Sequence, residues 1–402
     1  MNLLIGNIYI QLEMILKVIL FIIYLVNSCK STRLLDGNFS IIFSRDHTSE
    51  SVQRKIVSAL GTKAIALEGE YKIFRKGNVI SDFANAYIEV TYQPGIYQAI
   101  KKYHPDVIIG EGFFQWTAPA IAYRILHGTP LVISYERTHH TERNSQWFRT
   151  LYRKKVIRLV DAMCCNGRLS AAYSHWLGMP EARIVTGSMA ADAEILQQKC
   201  KEMSLEKRRE FKRLLNIDSP VFLYVGQLVE RKGVRQLLES WARLRVENGG
   251  FLVIVGDGPE RSVLEAFVKN RGLTTVRFIG GVAYDSIAQY YAMADVFVMP
   301  TLEDNWSLVV PEAMACGLPI LCSIYNGCWP ELIKNDINGY TFDPYNAEEI
   351  STKLKLFIDD QESACRMGKA SKQIVADFSP ANAAKAMFQA CQIAYQNRGL
   401  IR

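Results

Sequence analysis

Residues 221–240 read VFLYVGQLVERKGVRQLLES, and this stretch decides the fold. Five apolar residues lead into a loop bounded by Gly226 and Gly233, and a helical pattern starts near Val234. A continuous apolar run without polar alternation is what a strand buried on both faces looks like, as in a parallel sheet. The same cadence recurs downstream at Phe251–Val255, 276–279, Val296–Met299, 319–322 and 340–342, and upstream at 40–44, 63–67, 106–110, Leu131–Tyr135 and 162–166. Most of these runs are followed by a loop and a helix-like stretch. The fold class expected is therefore α/β, with two doubly wound, Rossmann-like domains.

Between the two series, residues 196–218 (LQQKCKEMSLEKRREFKRLLNID) hold no strand-like run and are dense in charge, so they are expected to be a helical connector. The domains predicted are 1–195 and 219–379, with a closing helix at about 380–398 packing back on the first. In such sheets ligands bind beyond the carboxyl ends of the strands, so two facing domains imply a site in the cleft between them.

The chain has 402 residues, 49% hydrophobic and 22% charged, which excludes the low-hydrophobicity signature of disorder. Nine cysteines are scattered without a CxxC pair, arguing against a disulfide framework or zinc site and for a reducing, cytoplasmic setting. Of the net charge of +7, most lies in residues 1–195, with 22 Lys and Arg against 16 Asp and Glu. Part of that excess is Arg149, Arg153, Lys154, Lys155 and Arg158, interleaved at helical spacing with Trp147, Phe148, Leu151, Tyr152, Val156 and Ile157. Two readings stand: a basic amphipathic helix for anionic lipid or phosphate, or a solvated helix with its apolar side in the core. No nucleic-acid-reading module is visible. Residues 18–26 are nine unbroken apolar residues, short of the roughly 20 that a spanning helix needs and wrongly flanked for a signal peptide. They read as a first buried strand, with a membrane anchor or a chain start at Met14 as alternatives.

Three stretches could carry chemistry. In the loop from Gly226 to Gly233, Lys232 offers a point charge for phosphate at a strand-to-helix turn. Gly256-Asp-Gly-Pro-Glu260 follows a strand in the same way. Residues 300–319 place Glu303, Asp304, Asn305, Trp306 and Ser307 in a loop and Glu312 on a helix from about Leu308, which Gly317 ends. Carboxylates eight apart can reach one elongated ligand, and one accepting two ribose hydroxyls makes charge-assisted bonds. In the first half, Tyr135-Glu-Arg-Thr-His-His-Thr-Glu-Arg143 is a polar loop after a strand, and Glu111 and Gly112 sit beside Phe113, Phe114 and Trp116 as a possible acceptor wall. There is no Asp-x-Asp metal motif at a strand end, and no Ser/His/Asp or Cys/His arrangement is credible.

The ordered series GQLVERKG, VGDGPE, FIG, ADVFVMPT and EAMACGLP resembles the nucleotide-sugar half of GT-B glycosyltransferases, specifically the retaining enzymes of family 4. The resemblance is strong over residues 219–345 and looser before, through VDAMCCNGRLSAAY and residues 189–192. It implies that the second domain binds the donor and the first faces the acceptor. By it, Lys232 contacts the donor diphosphate, the backbone from Asn305 through Trp306 and Ser307 to Leu308 cradles the phosphates, Glu312 binds the ribose, and Asp304 approaches the sugar. Gly226, Gln227, Arg231, Gly256, Gly258 and Ile279 line the donor pocket, and His140 joins Asp304, Glu312 and Lys232 as a catalytic candidate. Glu111, Gly112, His139 and Glu142 are the acceptor-side candidates. The chain departs from the family pattern at Gln227, where an Arg is usual, and at Asp304, where a Glu is.

The function so implied is transfer of a sugar from a nucleotide-diphosphate sugar to a hydroxyl of a glycan or polyprenyl-linked glycolipid, with retention, in cell-surface polysaccharide or lipopolysaccharide synthesis. It needs no metal or other cofactor. An anionic membrane contact at the inner face would suit the basic first half. The alternatives are an epimerase or sugar-phosphate synthase on the same scaffold, or a binding protein without turnover.

Overall fold

A computed structural model describes residues 40–397 except 47, 78–80, 115, 191–192 and 245–248. The apolar run at 18–26 lies outside the described residues. The chain divides into two compact units: residues 1–190 with 379–402, and residues 191–378. The stretch 196–218 forms two helices, Glu194–Glu202 and Leu205–Leu214, that pack on the helix Tyr284–Met293 inside the second unit.

The second unit is built on six parallel strands: β9 (Val221–Val225), β10 (Phe251–Val255), β11 (Val276–Gly280), β12 (Val296–Met299), β13 (Ile320–Ser323) and β14 (Gly339–Phe342). Their order is β11-β10-β9-β12-β13-β14, so the chain runs outward on one side of β9 and then returns to its other side. Every residue of β10, β12 and β13 is buried, which accounts for their unbroken apolar sequences.

The first unit, expected as one doubly wound domain, is likewise built on parallel strands, with an antiparallel ribbon that the sequence did not announce. It holds a four-stranded parallel sheet of β5 (Ile108–Glu111), β6 (Leu131–Tyr135), β7 (Ala162–Cys165) and β8 (Ile184–Thr186), and a separate parallel pair, β1 (Ile41–Ser44) with β2 (Ala64–Leu67). Between them an antiparallel ribbon joins β3 (Tyr71–Gly77) to β4 (Tyr87–Tyr92). All of β3 is exposed, so neither a continuous apolar run nor a buried alternation announced it.

One face of the four-stranded sheet packs Leu131, Ile133 and Met163 against helices such as Thr117–His127. The other is covered by the helix Pro380–Gln396, whose Ala383, Ala384, Ala390 and Ala394 allow close approach to Val132 and Cys164. A buried ion pair, Arg124 to Asp161 at 2.8 Å, is completed by the Leu131 amide donating to the same carboxylate. Among the described residues no helix is long and apolar enough to cross a membrane.

Candidate functional site

The place where the strand order reverses in the second unit lies between β9 and β12, and in open α/β sheets ligands bind there. Two loops leave this point, 226–233 after β9 and 300–308 after β12. They are sewn together at Arg231, whose carbonyl accepts from the Leu302 amide at 2.7 Å and the Thr301 hydroxyl at 2.9 Å. Gly233 has φ +68°, and a Cβ there would lie 2.1 Å from the Pro300 carbonyl oxygen, so the loops meet this closely only with glycine.

The side chains of the two loops converge on Asp304. Lys232 Nζ lies 2.5 Å from its Oδ2, Ser307 Oγ donates to the same oxygen at 2.6 Å, and the Trp306 amide donates to Oδ1 at 3.1 Å. Arg231 Nη1 stands 3.9 Å away. Burial by itself would raise this carboxyl, but the charges of Lys232 and Arg231, with hydrogen bonds from Lys232 and Ser307, outweigh it and hold it down at about 2. Asp304 is therefore ionised at neutral pH inside a largely enclosed, cationic pocket.

Glu312 lies on the helix Val309–Ala315 and is half-buried. The hydroxyl of Tyr291, from the helix Tyr284–Met293, donates to Glu312 Oε2 at 2.9 Å. Tyr291 is fully buried; desolvation, then the Glu312 charge, push its phenol well above the usual range, so it stays a donor. Buried Asn326 accepts from the Ser307 and Cys328 amides, and the Gly327 amide donates to the Asp304 carbonyl, fixing 304–307 against the turn after β13. The amides of Trp306 and Ser307, expected to cradle phosphate, thus already have partners within the protein. Gly256 and Gly258 bring one loop against another: a Cβ on them would lie 1.8 Å from the Gly226 carbonyl oxygen and 2.4 Å from that of Leu228. The Gln227 carbonyl accepts from Tyr224 Oη at 2.8 Å. Ile279 is half-buried in edge strand β11.

Tyr291 and Asn326 carry no mark of a site in the sequence. Tyr291 reads as one more apolar position of a helix, and only the Asn326-Gly327 pair signals a tight turn beside β13.

In the first unit the structure gives the candidates different surroundings. Glu111 is exposed at the end of β5, so solvent limits the upward push on its carboxyl from desolvation by nearby protein, then Glu136, against the pull of Arg137. Gly112 follows in the turn at φ +64°. His139 packs edge-on against Tyr173 and Trp176, and the carbonyl of half-buried His140 accepts from Arg143. Glu142 is buried, 2.7 Å from Arg153, and also accepts from Asn85, so its carboxylate is engaged in holding this loop. Among the described residues no group of three or more His, Cys, Asp or Glu could hold a metal ion.

The family profile described as "Glycosyl transferases group 1" matches residues 206–374, and that described as "Glycosyltransferase Family 4" matches 56–193. The chain belongs to the family 4-like GT-B glycosyltransferases. This family 4-like chain is 28% identical to the sulfoquinovosyl transferase of Arabidopsis thaliana over 304 residues, covering 71% of this chain and 56% of that one. It is 30% identical to N,N'-diacetylbacillosaminyl-diphospho-undecaprenol alpha-1,3-N-acetylgalactosaminyltransferase of Campylobacter jejuni over 169 residues, 42% of this chain and 43% of that protein. Among solved GT-B structures, Anabaena HepE in complex with UDP and glucose superposes with a TM-score of 0.63 at 16% identity, covering 84% and 88% of the two chains. The chain spans about half the length of the curated relatives it matches.

Proposed function

We propose that the protein transfers a sugar from a nucleotide-diphosphate sugar to a hydroxyl of a glycan or glycolipid, with retention at the anomeric carbon. The observation that carries this reading is the junction of the β9 and β12 loops, where Lys232 and Asp304 meet while Glu312, braced by Tyr291, stands on the next helix. Glu312 would accept the ribose hydroxyls, and Lys232 with Arg231 would take up the charge of the departing diphosphate without a metal. Lys232 is spoken for by Asp304 in the free protein, so the donor diphosphate must draw it away or share it. Retention and the residue roles rest on the family resemblance. The names of the Arabidopsis and Campylobacter relatives support glycosyl transfer, and the UDP and glucose bound by HepE support a sugar-nucleotide donor; the diphospho-undecaprenol in one name supports a lipid-linked acceptor.

The test is thermal stabilisation by UDP, GDP, ADP, dTDP and CMP, beside the Glu312→Ala variant. A ligand at about 100 times its Kd adds roughly 2.7 kcal/mol, several degrees in Tm. A shift with one nucleotide that Glu312→Ala abolishes supports the reading; no shift with any removes it.

A further inference from the structure

We propose that the outward face of the helix Trp147–Val156 docks on an anionic lipid bilayer. The helix sits with its apolar side to solvent. Trp147 is 76% exposed, and Phe148, Leu151 and Tyr152 are exposed with it, followed at the same helical spacing by Lys155 and Arg158.

The reason lies on the inward side. Arg153 is buried, 2.7 Å from Glu142 Oε2 and 2.9 Å from Ser145 Oγ, with its guanidinium 5.1 Å from the ring centre of Phe114. Arg149 donates to Asn85 Oδ1 at 2.9 Å and covers the same ring at 5.2 Å. Turning the helix to bury Trp147 and Leu151 would pull Arg153 from its buried partner and leave Glu142 only the longer contact with Arg137 at 3.7 Å, so its orientation is fixed by ionic contacts beneath it.

The exposed face continues onto the helix Arg168–Leu177, where half-exposed Trp176 carries Lys154 Nζ 4.0 Å over its ring. The patch thus mixes large aromatic side chains with lysine and arginine on a single surface. Protein interfaces deplete lysine from their apolar centres, whereas an anionic bilayer takes both kinds at once, rings at headgroup depth and cations against the lipid phosphates. The charge excess of residues 1–195 has the matching sign. Nothing in this docking depends on the transfer reaction.

The test is co-sedimentation of the full chain with vesicles of phosphatidylcholine alone or of equal parts phosphatidylcholine and phosphatidylglycerol, with no donor or acceptor present. The expected result is binding to the anionic vesicles only, weakened by salt. Trp147→Ser with Leu151→Ser should reduce it roughly tenfold, and Lys155→Glu with Arg158→Glu should remove its preference for anionic lipid. Both variants change exposed positions and should keep the parent Tm, and Leu205→Ser, exposed in the other unit, should bind as the parent does. Failure of the parent to bind, equal binding by the paired variants, or a concentration-dependent dimer that Trp147→Ser dissolves would each overturn the proposal.

Discussion

Lys232 and Asp304, 72 residues apart in sequence, form an ion pair of 2.5 Å with side chains only 8% and 11% exposed. Neither residue is left alone cheaply. Lys232→Ala leaves the buried Asp304 carboxylate with Arg231, at 3.9 Å, as its remaining cation and should destabilise the protein by about 2 kcal/mol, several degrees in Tm, while abolishing stabilisation by nucleotide. Thermal melts with and without nucleotide separate the two effects. An unchanged melting point would mean that solvent replaces the lysine without loss.

The depressed Asp304 carboxyl gives a pH signature. Its folded value of about 2 lies below the ordinary 3.8, so its contribution is complete above the ordinary value and is lost as pH falls from about 4 through about 2. The stability gap between the parent and Asp304→Asn, from urea unfolding, should shrink by about 2 kcal/mol over that window. A gap independent of pH would contradict the geometry.

Tyr291→Phe removes only the hydroxyl that braces Glu312. It should lower stability by about 1 kcal/mol and weaken nucleotide binding roughly fivefold by titration calorimetry. Glu312→Gln leaves an oxygen for Tyr291 and should cost more affinity than stability. If Tyr291→Phe lowers stability but leaves affinity intact, Tyr291 serves packing alone.

Gly256 and Gly272 separate backbone cost from steric cost. Both have positive φ, but a Cβ at 272 meets nothing within 4 Å whereas one at 256 lies 1.8 Å from the Gly226 carbonyl oxygen. Gly272→Ala should cost about 1 kcal/mol and Gly256→Ala about 3 kcal/mol, with loss of nucleotide binding. Equal costs would show that the two loops can part freely.

The sequence disclosed what the sheet demands. A strand with both faces covered must be apolar at nearly every position, so Val221–Val225 and Phe251–Val255 could be read without neighbours. In the ribbon β3 is exposed throughout and only Thr91 of β4 is buried, so burial imposed little pattern on it. The helix at 147 showed which residues it contains but not which side faces in, because Glu142, Asn85 and Phe114 decide that from elsewhere in the chain. Lys232, Asp304 and Glu312 stood out by type and setting. Their partners did not: the Lys232 to Asp304 bond and the Tyr291 brace are products of folding between segments remote in sequence.

The helix Pro380–Gln396, which covers β6 to β8, follows the entire second unit along the chain. During synthesis the second unit emerges whole before the first can be closed, so one face of the β6 to β8 sheet waits uncovered on the ribosome. A chain ended after Phe378 would retain every residue of the donor candidate site yet lack the cover of that sheet. Such truncation should yield a protein that aggregates through its amino-terminal unit.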